Sequence, residues 1–143
     1  MSRVIYEGRI DGEFEGFDDE VIFKMTNGTY WIQDQYKYWY HYAYNPEATI
    51  TEESGRHILS VAGNSIPVRR ANNVIESRID GEFKGWEGET VYKLVNGQVW
   101  QQSTYKYQYK YAYMPQVIIY QAGSGYKILV AGTTANVRRI NKA

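Results

Sequence analysis

The chain reads as an all-β protein. It is built either as two tandem SH3-like barrels or as one larger pseudo-symmetric barrel or sandwich made by both halves. Three observations predict this. First, apolar residues alternate with polar ones in short runs separated by glycine-rich turn signals, and nowhere do they follow the i, i+3, i+4, i+7 helical spacing. Second, sliding the sequence against itself by 69 residues, from Tyr36 to Tyr105, aligns it without a gap. By count, roughly 30 aligned pairs are identical, so each half is one complete supersecondary unit. Third, there is no cysteine, so such small units must hold by packing without disulfides. The expected domains are 1–71 and 72–143, joined at a junction too short to be a loose linker.

Taken in order, Val4 to Phe14 alternates loosely, with Gly8 and Gly12 interspersed. Glycines in a strand pattern predict bulges or sharp curvature. Arg9-Ile-Asp-Gly-Glu-Phe14 returns as Arg78-Ile-Asp-Gly-Glu-Phe83. Asp18-Asp19-Glu20, or Glu87-Gly88-Glu89, reads as a turn. Val21 to Met25 reads as a strand with Phe23 and Met25 on one face. Asn27-Gly28 and Asn96-Gly97 are strong hairpin signals and predict a type I′ turn. The return strand carries Trp31 or Trp100. Run on to Tyr44 it would reach about 50 Å, too long for one straight strand in so small a unit. A bend is therefore expected near Gln33-Asp34-Gln35 and Gln102-Ser103-Thr104. The phase agrees with a change of face, because Trp31 lies on the odd register and the tyrosines on the even one. After Pro46 or Pro115 come three further short strands. They are centred on Ile50, Leu59 and Val68, or on Ile119, Ile128 and Val137. About five strands per copy are expected.

The compositional outlier is tyrosine, with 15 residues against four phenylalanines. Ten of these form two rows at every second position: Tyr36, Tyr38, Tyr40, Tyr42 and Tyr44, then Tyr105, Tyr107, Tyr109, Tyr111 and Tyr113. Two readings stand side by side. In one, the rings are the half-buried face of a bent strand, and Lys37, Trp39 and His41, or Lys106, Gln108 and Lys110, face water. In the other, the rings are exposed as a platform for a peptide, a protein or unstacked bases. Five large rings exceed what one face of so small a unit can hide, so a mixture is expected, with central rings buried and end rings exposed. Trp39, present in the first copy only, is either a contact residue or a residue that packs between the copies.

Other chemistry is thin. Formal net charge is +0 at pH 7, which removes the usual footprint of a nucleic-acid binder. The repeated pairs Arg69-Arg70 and Arg138-Arg139 are candidate anion or phosphate contacts, against the plainer reading of strand ends paired with local acids. Asp11, Glu13 and Glu20, with Asp80, Glu82 and Glu89, supply carboxylates for a small hydrolase, but nothing marks a cleft. The two histidines, His41 and His57, are Lys110 and Tyr126 in the other copy. That argues against a repeated metal or catalytic site. No catalytic residue, metal site or cofactor is expected.

The string Asn96-Gly97-Gln98-Val99-Trp100-Gln101-Gln102, the tyrosine row, Pro115 and Val117-Ile118-Ile119 together resemble a family of small bacterial proteins. That family is built from a tandem Tyr-rich repeat of about 70 residues, and no activity is established for it. The resemblance covers nearly the whole chain. It implies a bacterial source and carries over no catalytic residues.

The expected function is therefore a non-catalytic binding module. It would recognise a protein or peptide through the exposed tyrosines and Trp39, with self-association as an addition. The alternative is single-stranded nucleic-acid binding by the same rings with Arg and Lys. No run approaches the roughly 20 apolar residues of a membrane helix, and the N-terminus lacks the apolar run of a secretory signal. A cytoplasmic protein without a membrane partner is expected.

Overall fold

The computed structural model describes residues 2–141. All regular structure is strand, and no helix occurs among the described residues. None, therefore, is long and apolar enough to cross a membrane. The chain divides into two compact units, Met1–Asn72 and Asn73–Ala143. Each completes its own sheets, so of the two architectures expected the chain takes the one with a separate β unit per copy.

The first unit contains β1 (Ser2–Arg9), β2 (Glu13–Phe17), β3 (Ile22–Lys24), β4 (Tyr30–Gln33), β5 (Trp39–Tyr44), β6 (Glu47–Glu53), β7 (Arg56–Val61) and β8 (Asn64–Ala71). The second contains β9 (Ile75–Arg78), β10 (Glu82–Glu87), β11 (Val91–Lys93), β12 (Val99–Gln102), β13 (Tyr107–Tyr113), β14 (Gln116–Ala122), β15 (Gly125–Val130) and β16 (Thr133–Arg139). Eight strands per unit replace the five expected, because bends and bulges cut the long runs into pieces.

Six strands form one sheet, in the order β1-β6-β7-β8-β4-β3, and β9 to β16 repeat it as β9-β14-β15-β16-β12-β11. The sheet curls so that its two edges approach at one end, just beyond β1 and β3. Ile10 bridges Met25, and Asp11 N donates to Lys24 O at 2.7 Å. The second unit makes the same bridge between Ile79 and Leu94. The bridge covers one end of the core, while β1 and β9 remain edge strands paired on one side. Met25, Ile50 and Leu59 are fully buried inside, as is Ile128 in the second unit. Each such side chain contributes about 1.5–3 kcal/mol by leaving water.

The tight turns differ from expectation in an instructive way. At Asn27-Gly28 only the glycine has positive φ (88°). Gly28 N donates to Met25 O at 2.9 Å, and Met25 N donates to Thr29 O at 2.8 Å. This is a three-residue loop ending in a left-handed glycine, not the expected two-residue type I′ turn. The Asn27 side chain decides it, accepting from Thr29 N at 3.0 Å and so holding asparagine outside the left-handed region. Asn96 does the same for Gln98 N at 3.0 Å. Two-residue turns with both central φ positive occur instead at Ala62-Gly63, Ala131-Gly132 and Ser54-Gly55.

Outside the six-stranded sheet each unit carries a two-stranded ribbon, β2 with β5 and β10 with β13. These ribbons hold Tyr40, Tyr42 and Tyr44 on β5 and Tyr107, Tyr109, Tyr111 and Tyr113 on β13, while Tyr36, Tyr38 and Tyr105 lie in the segments that lead into those strands.

Candidate functional site: the tyrosine ribbons

Each ribbon has an inner and an outer face, because side chains alternate along a strand. The inner face is set by Phe14 and Phe17 on β2, which are buried, with Ala43 and Trp39 as their cross-strand partners. Phe14, Phe17 and Phe23 form a ring cluster with centroids 6.0–6.1 Å apart. Trp39 joins it, 5.1 Å from Phe17 and 6.1 Å from Phe14. His41 stacks on Trp39 at 5.0 Å. Trp39 and His41 thus lie on the inward register, both half-buried, with Trp39 packed against the core.

With the odd register turned inward, every tyrosine of the row faces outward. The exposures are 65, 64, 61, 51 and 68% for Tyr36, Tyr38, Tyr40, Tyr42 and Tyr44. They are 78, 69, 67, 52 and 67% for Tyr105, Tyr107, Tyr109, Tyr111 and Tyr113. The expected mixture of buried central and exposed end rings is corrected: all ten are exposed. The reason is that the ribbon is only two strands wide and no further layer covers its outer face. Nor does the chain need a change of face after Trp31, since Trp31 and Trp39 share the odd register and both turn inward.

The lysines between the tyrosines also turn in. Lys106 Nζ donates to Thr134 O at 2.7 Å and Lys110 Nζ to Ala131 O at 2.5 Å. Lys37 Nζ lies 3.4 Å from Ser65 O. They strap the ribbon to the β7–β8 or β15–β16 hairpin, and their charge is directed away from the rings.

Four repeated devices fix the ribbon. Gly16 and Gly85 have φ of 98° at a bulge, and a Cβ on either would lie 1.9 or 2.0 Å from the carbonyl oxygen of Trp39 or Gln108. Only glycine permits that approach. At the bend, Gln33 is fully buried. Its Oε1 accepts from Asp18 N at 3.0 Å, and its Nε2 donates to Gln35 O at 3.0 Å, to Lys37 O at 3.2 Å and to Asp18 O. Gln102 repeats this with Gly88 N at 3.1 Å, Thr104 O at 3.1 Å and Lys106 O at 2.9 Å. At the far end Asn45 and Met114 are left-handed, with φ of 50° and 46°, just before the prolines. Arg9 Nη1 and Arg78 Nη1 hold their carbonyls at 2.7 and 3.0 Å.

One cross-strand pair differs between the units. Phe17 opposes Trp39 in the first, and Trp86 opposes Gln108 in the second. The indole has changed strands. In the second unit it donates to Thr133 Oγ1 at 3.1 Å, and Thr133 bonds Gln108 Oε1 at 3.1 Å. The sequence carried this signal, since Phe17/Trp86 and Trp39/Gln108 differ together between copies.

The outer face is bordered by acids. Glu13 is the cross-strand partner of Tyr44, Glu82 of Tyr113 and Glu87 of Tyr107, and directly opposed side chains share a face. Glu15 follows Phe14 on the outward register, and its counterpart is Lys84. The Tyr111 phenol is held above its ordinary pKa by desolvation, then by its hydrogen bond and charge contact with Glu82, then by Tyr109 and Tyr113.

The arginine pairs lie elsewhere in each unit, on β8 and β16. Arg69 is bracketed by Glu20 at 3.0 Å and Asp34 at 2.9 Å. Burial works to lower its pKa, and the two carboxylates more than offset this. Arg70 lies over the Trp31 ring at 5.8 Å. Arg138 donates to Gln101 Oε1 at 2.6 Å, and Arg139 Nε lies 3.4 Å from Asn141 Oδ1. Of the acids, Asp11 pairs with Lys24 at 3.8 Å. Among the described residues, no group of three His, Asp or Glu is placed to hold a metal ion.

No family model, no curated protein sequence and no solved structure matches the chain.

Proposed function

We propose that each unit is a non-catalytic binding module that takes a protein or peptide segment on the outer face of its tyrosine ribbon. The observation that carries this reading is the outward direction of all ten rings. Scattered exposed aromatics need no explanation, but a continuous row does, because large exposed patches mark contact surfaces. Tyrosine suits the task, with a flat apolar body, a polar tip and only two side-chain torsions to order on binding. The row is also held still by the bulge glycine, the buried glutamine and the lysine straps, which limits the entropy lost on association. The curled sheet of each unit suits the SH3-like reading as well.

Charge favours a peptide over a single-stranded nucleic acid. Lys37, Lys106 and Lys110 are directed to backbone carbonyls behind the ribbon, and Glu13, Glu82 and Glu87 stand on the ring side. A phosphate backbone laid along the rings would meet mainly carboxylates, with Lys84 a cation on the same register of the second ribbon.

The test is a displayed peptide library selected against the full chain, with Tyr40→Ala/Tyr109→Ala as the counter-selection. Peptides should enrich on the wild type and lose binding to the variant, while both unfold at the same urea concentration. Enriched peptides that bind the variant equally well, or a library that yields none, would overturn the reading. A labelled oligothymidine titrated at low and physiological salt covers the alternative. Tight binding with a steep salt slope would move the function to nucleic acid.

A further inference from the structure

We infer that the occupant of the ribbon is an extended segment bearing arginine at alternate positions, its guanidinium groups seated between successive tyrosine rings. This rests on the binding reading above and names the partner's chemistry.

The first argument is spacing. Within β5 and β13, where Tyr40, Tyr42 and Tyr44 or Tyr107, Tyr109, Tyr111 and Tyr113 lie, alternate side chains of a regular strand stand about 6.6–6.8 Å apart, twice the rise per residue. A flat group touching a ring on each side needs about 3.5–4.0 Å to either. A gap of that width has room for one planar group between two neighbouring rings. The same spacing separates alternate side chains of an extended ligand, so a strand laid along the row meets the gaps in register. A polyproline helix repeats every three residues over about 9.3 Å and falls out of step.

The second argument is charge. Glu13 opposes Tyr44, Glu82 opposes Tyr113 and Glu87 opposes Tyr107. The lysines between the tyrosines point behind the ribbon. A cation over a tyrosine face gains from the ring quadrupole. Among planar side chains guanidinium alone is always charged, and it also pairs bidentately with a carboxylate. A second copy of this chain would bring acid-bordered rings against acid-bordered rings, so charge disfavours self-pairing of the faces. Lys84 at the position of Glu15 makes the first ribbon the more anionic, and the first ribbon should bind more tightly.

The experiment uses the full chain and three synthetic peptides. One alternates arginine with threonine, one replaces arginine by citrulline, and one replaces it by lysine. Citrulline keeps the plane and loses the charge; lysine keeps the charge and loses the plane. The arginine peptide should bind at least about threefold to tenfold more tightly than either. Glu13→Gln/Glu82→Gln should weaken it by a similar factor, and Tyr40→Ser/Tyr109→Ser should weaken it more, with urea unfolding unchanged in both variants. Equal binding of the arginine and citrulline peptides overturns the inference, as does insensitivity to the glutamate variants. If an uncharged peptide from the library needs Tyr40 and Tyr109 while the arginine peptide does not bind, the partner chemistry falls and the binding module stands. If no peptide of either kind binds, both fall. Self-association that is abolished by Tyr40→Ser/Tyr109→Ser would replace the peptide by a second copy and overturn the inference.

Discussion

Replacing Gln33 by leucine tests whether one buried amide holds the bend that presents the first tyrosine row. The side chain accepts from Asp18 N and shares its two N–H donors among Asp18 O, Gln35 O and Lys37 O. A net hydrogen bond is worth about 1 kcal/mol, and a buried group left without a partner costs about 1–3 kcal/mol. Asp18 and Gln35 belong to exposed residues, so water can replace part of what is lost. Leucine also adds apolar burial. The balance for Gln33→Leu is a loss of about 3 kcal/mol, a large share of the 5–15 kcal/mol typical of a domain. Gln102→Leu should cost at least as much, because Gly88, whose N–H it binds, is buried. The assay is urea unfolding followed by tryptophan emission, with Trp31 and Trp39 reporting on the first unit and Trp86 and Trp100 on the second. The transition of the substituted unit should move to lower urea with its slope unchanged. A loss below about 1 kcal/mol would refute the reasoning: it would mean that the four backbone groups are satisfied without the glutamine.

Three further outcomes are expected. Gly85→Ala should cost about 3 kcal/mol or more, because its Cβ would lie 2.0 Å from Gln108 O at φ 98°. Gly97→Ala, at φ 91° with nothing within 4 Å, should cost only about 1–2 kcal/mol; thermal melts of the two separate clash from backbone strain. Met114→Asn should stabilise the second unit by about 1 kcal/mol, since asparagine tolerates left-handed φ and Asn45, its counterpart, accepts from Gly12 N at 2.6 Å. Denaturation of the variant beside the wild type checks it. The buried Tyr92 phenol, which donates to Gly85 O at 3.0 Å, has its pKa pushed up from 10.0 to about 12 by desolvation first, partly opposed by Thr90 and reinforced by Glu87. The protonated form is the one folding favours, so its stabilisation is full below pH 10 and is lost as pH rises toward 12. Over that window the second unit should weaken by up to about 1.4 kcal/mol per pH unit, and Tyr92→Phe should remove the slope.

Much of this was legible in the residues. The 69-residue offset gave two units, the Asn-Gly pairs gave the hairpins, and the excess length after Trp31 placed the bend at the glutamine that makes it. The turn geometry was not legible, because asparagine can either adopt positive φ or cap the turn by accepting from the N–H two residues on, and both Asn27 and Asn96 take the second course. The facing of the tyrosines was misjudged for a related reason. Period-two patterning says which residues share a face but not which face is covered. That depends on Phe14 and Phe17 having no outer counterpart, which is a property of a two-stranded ribbon. The inward lysines were equally unreadable, since their acceptors are carbonyls some 20 to 30 positions along the chain.

The exchanged indole has a consequence for how the chain assembles. Neighbouring copies of one unit invite strands to pair with the wrong twin. Here β5 brings Trp39 and expects Phe17, while β13 brings Gln108 and expects Trp86. Crossing them would set tryptophan against tryptophan in one place and phenylalanine against glutamine in the other. The first would be overfilled and the second would leave a void, and either costs about 1–3 kcal/mol or more. The difference in side-chain size works as an address, directing each ribbon strand to its own half of the molecule.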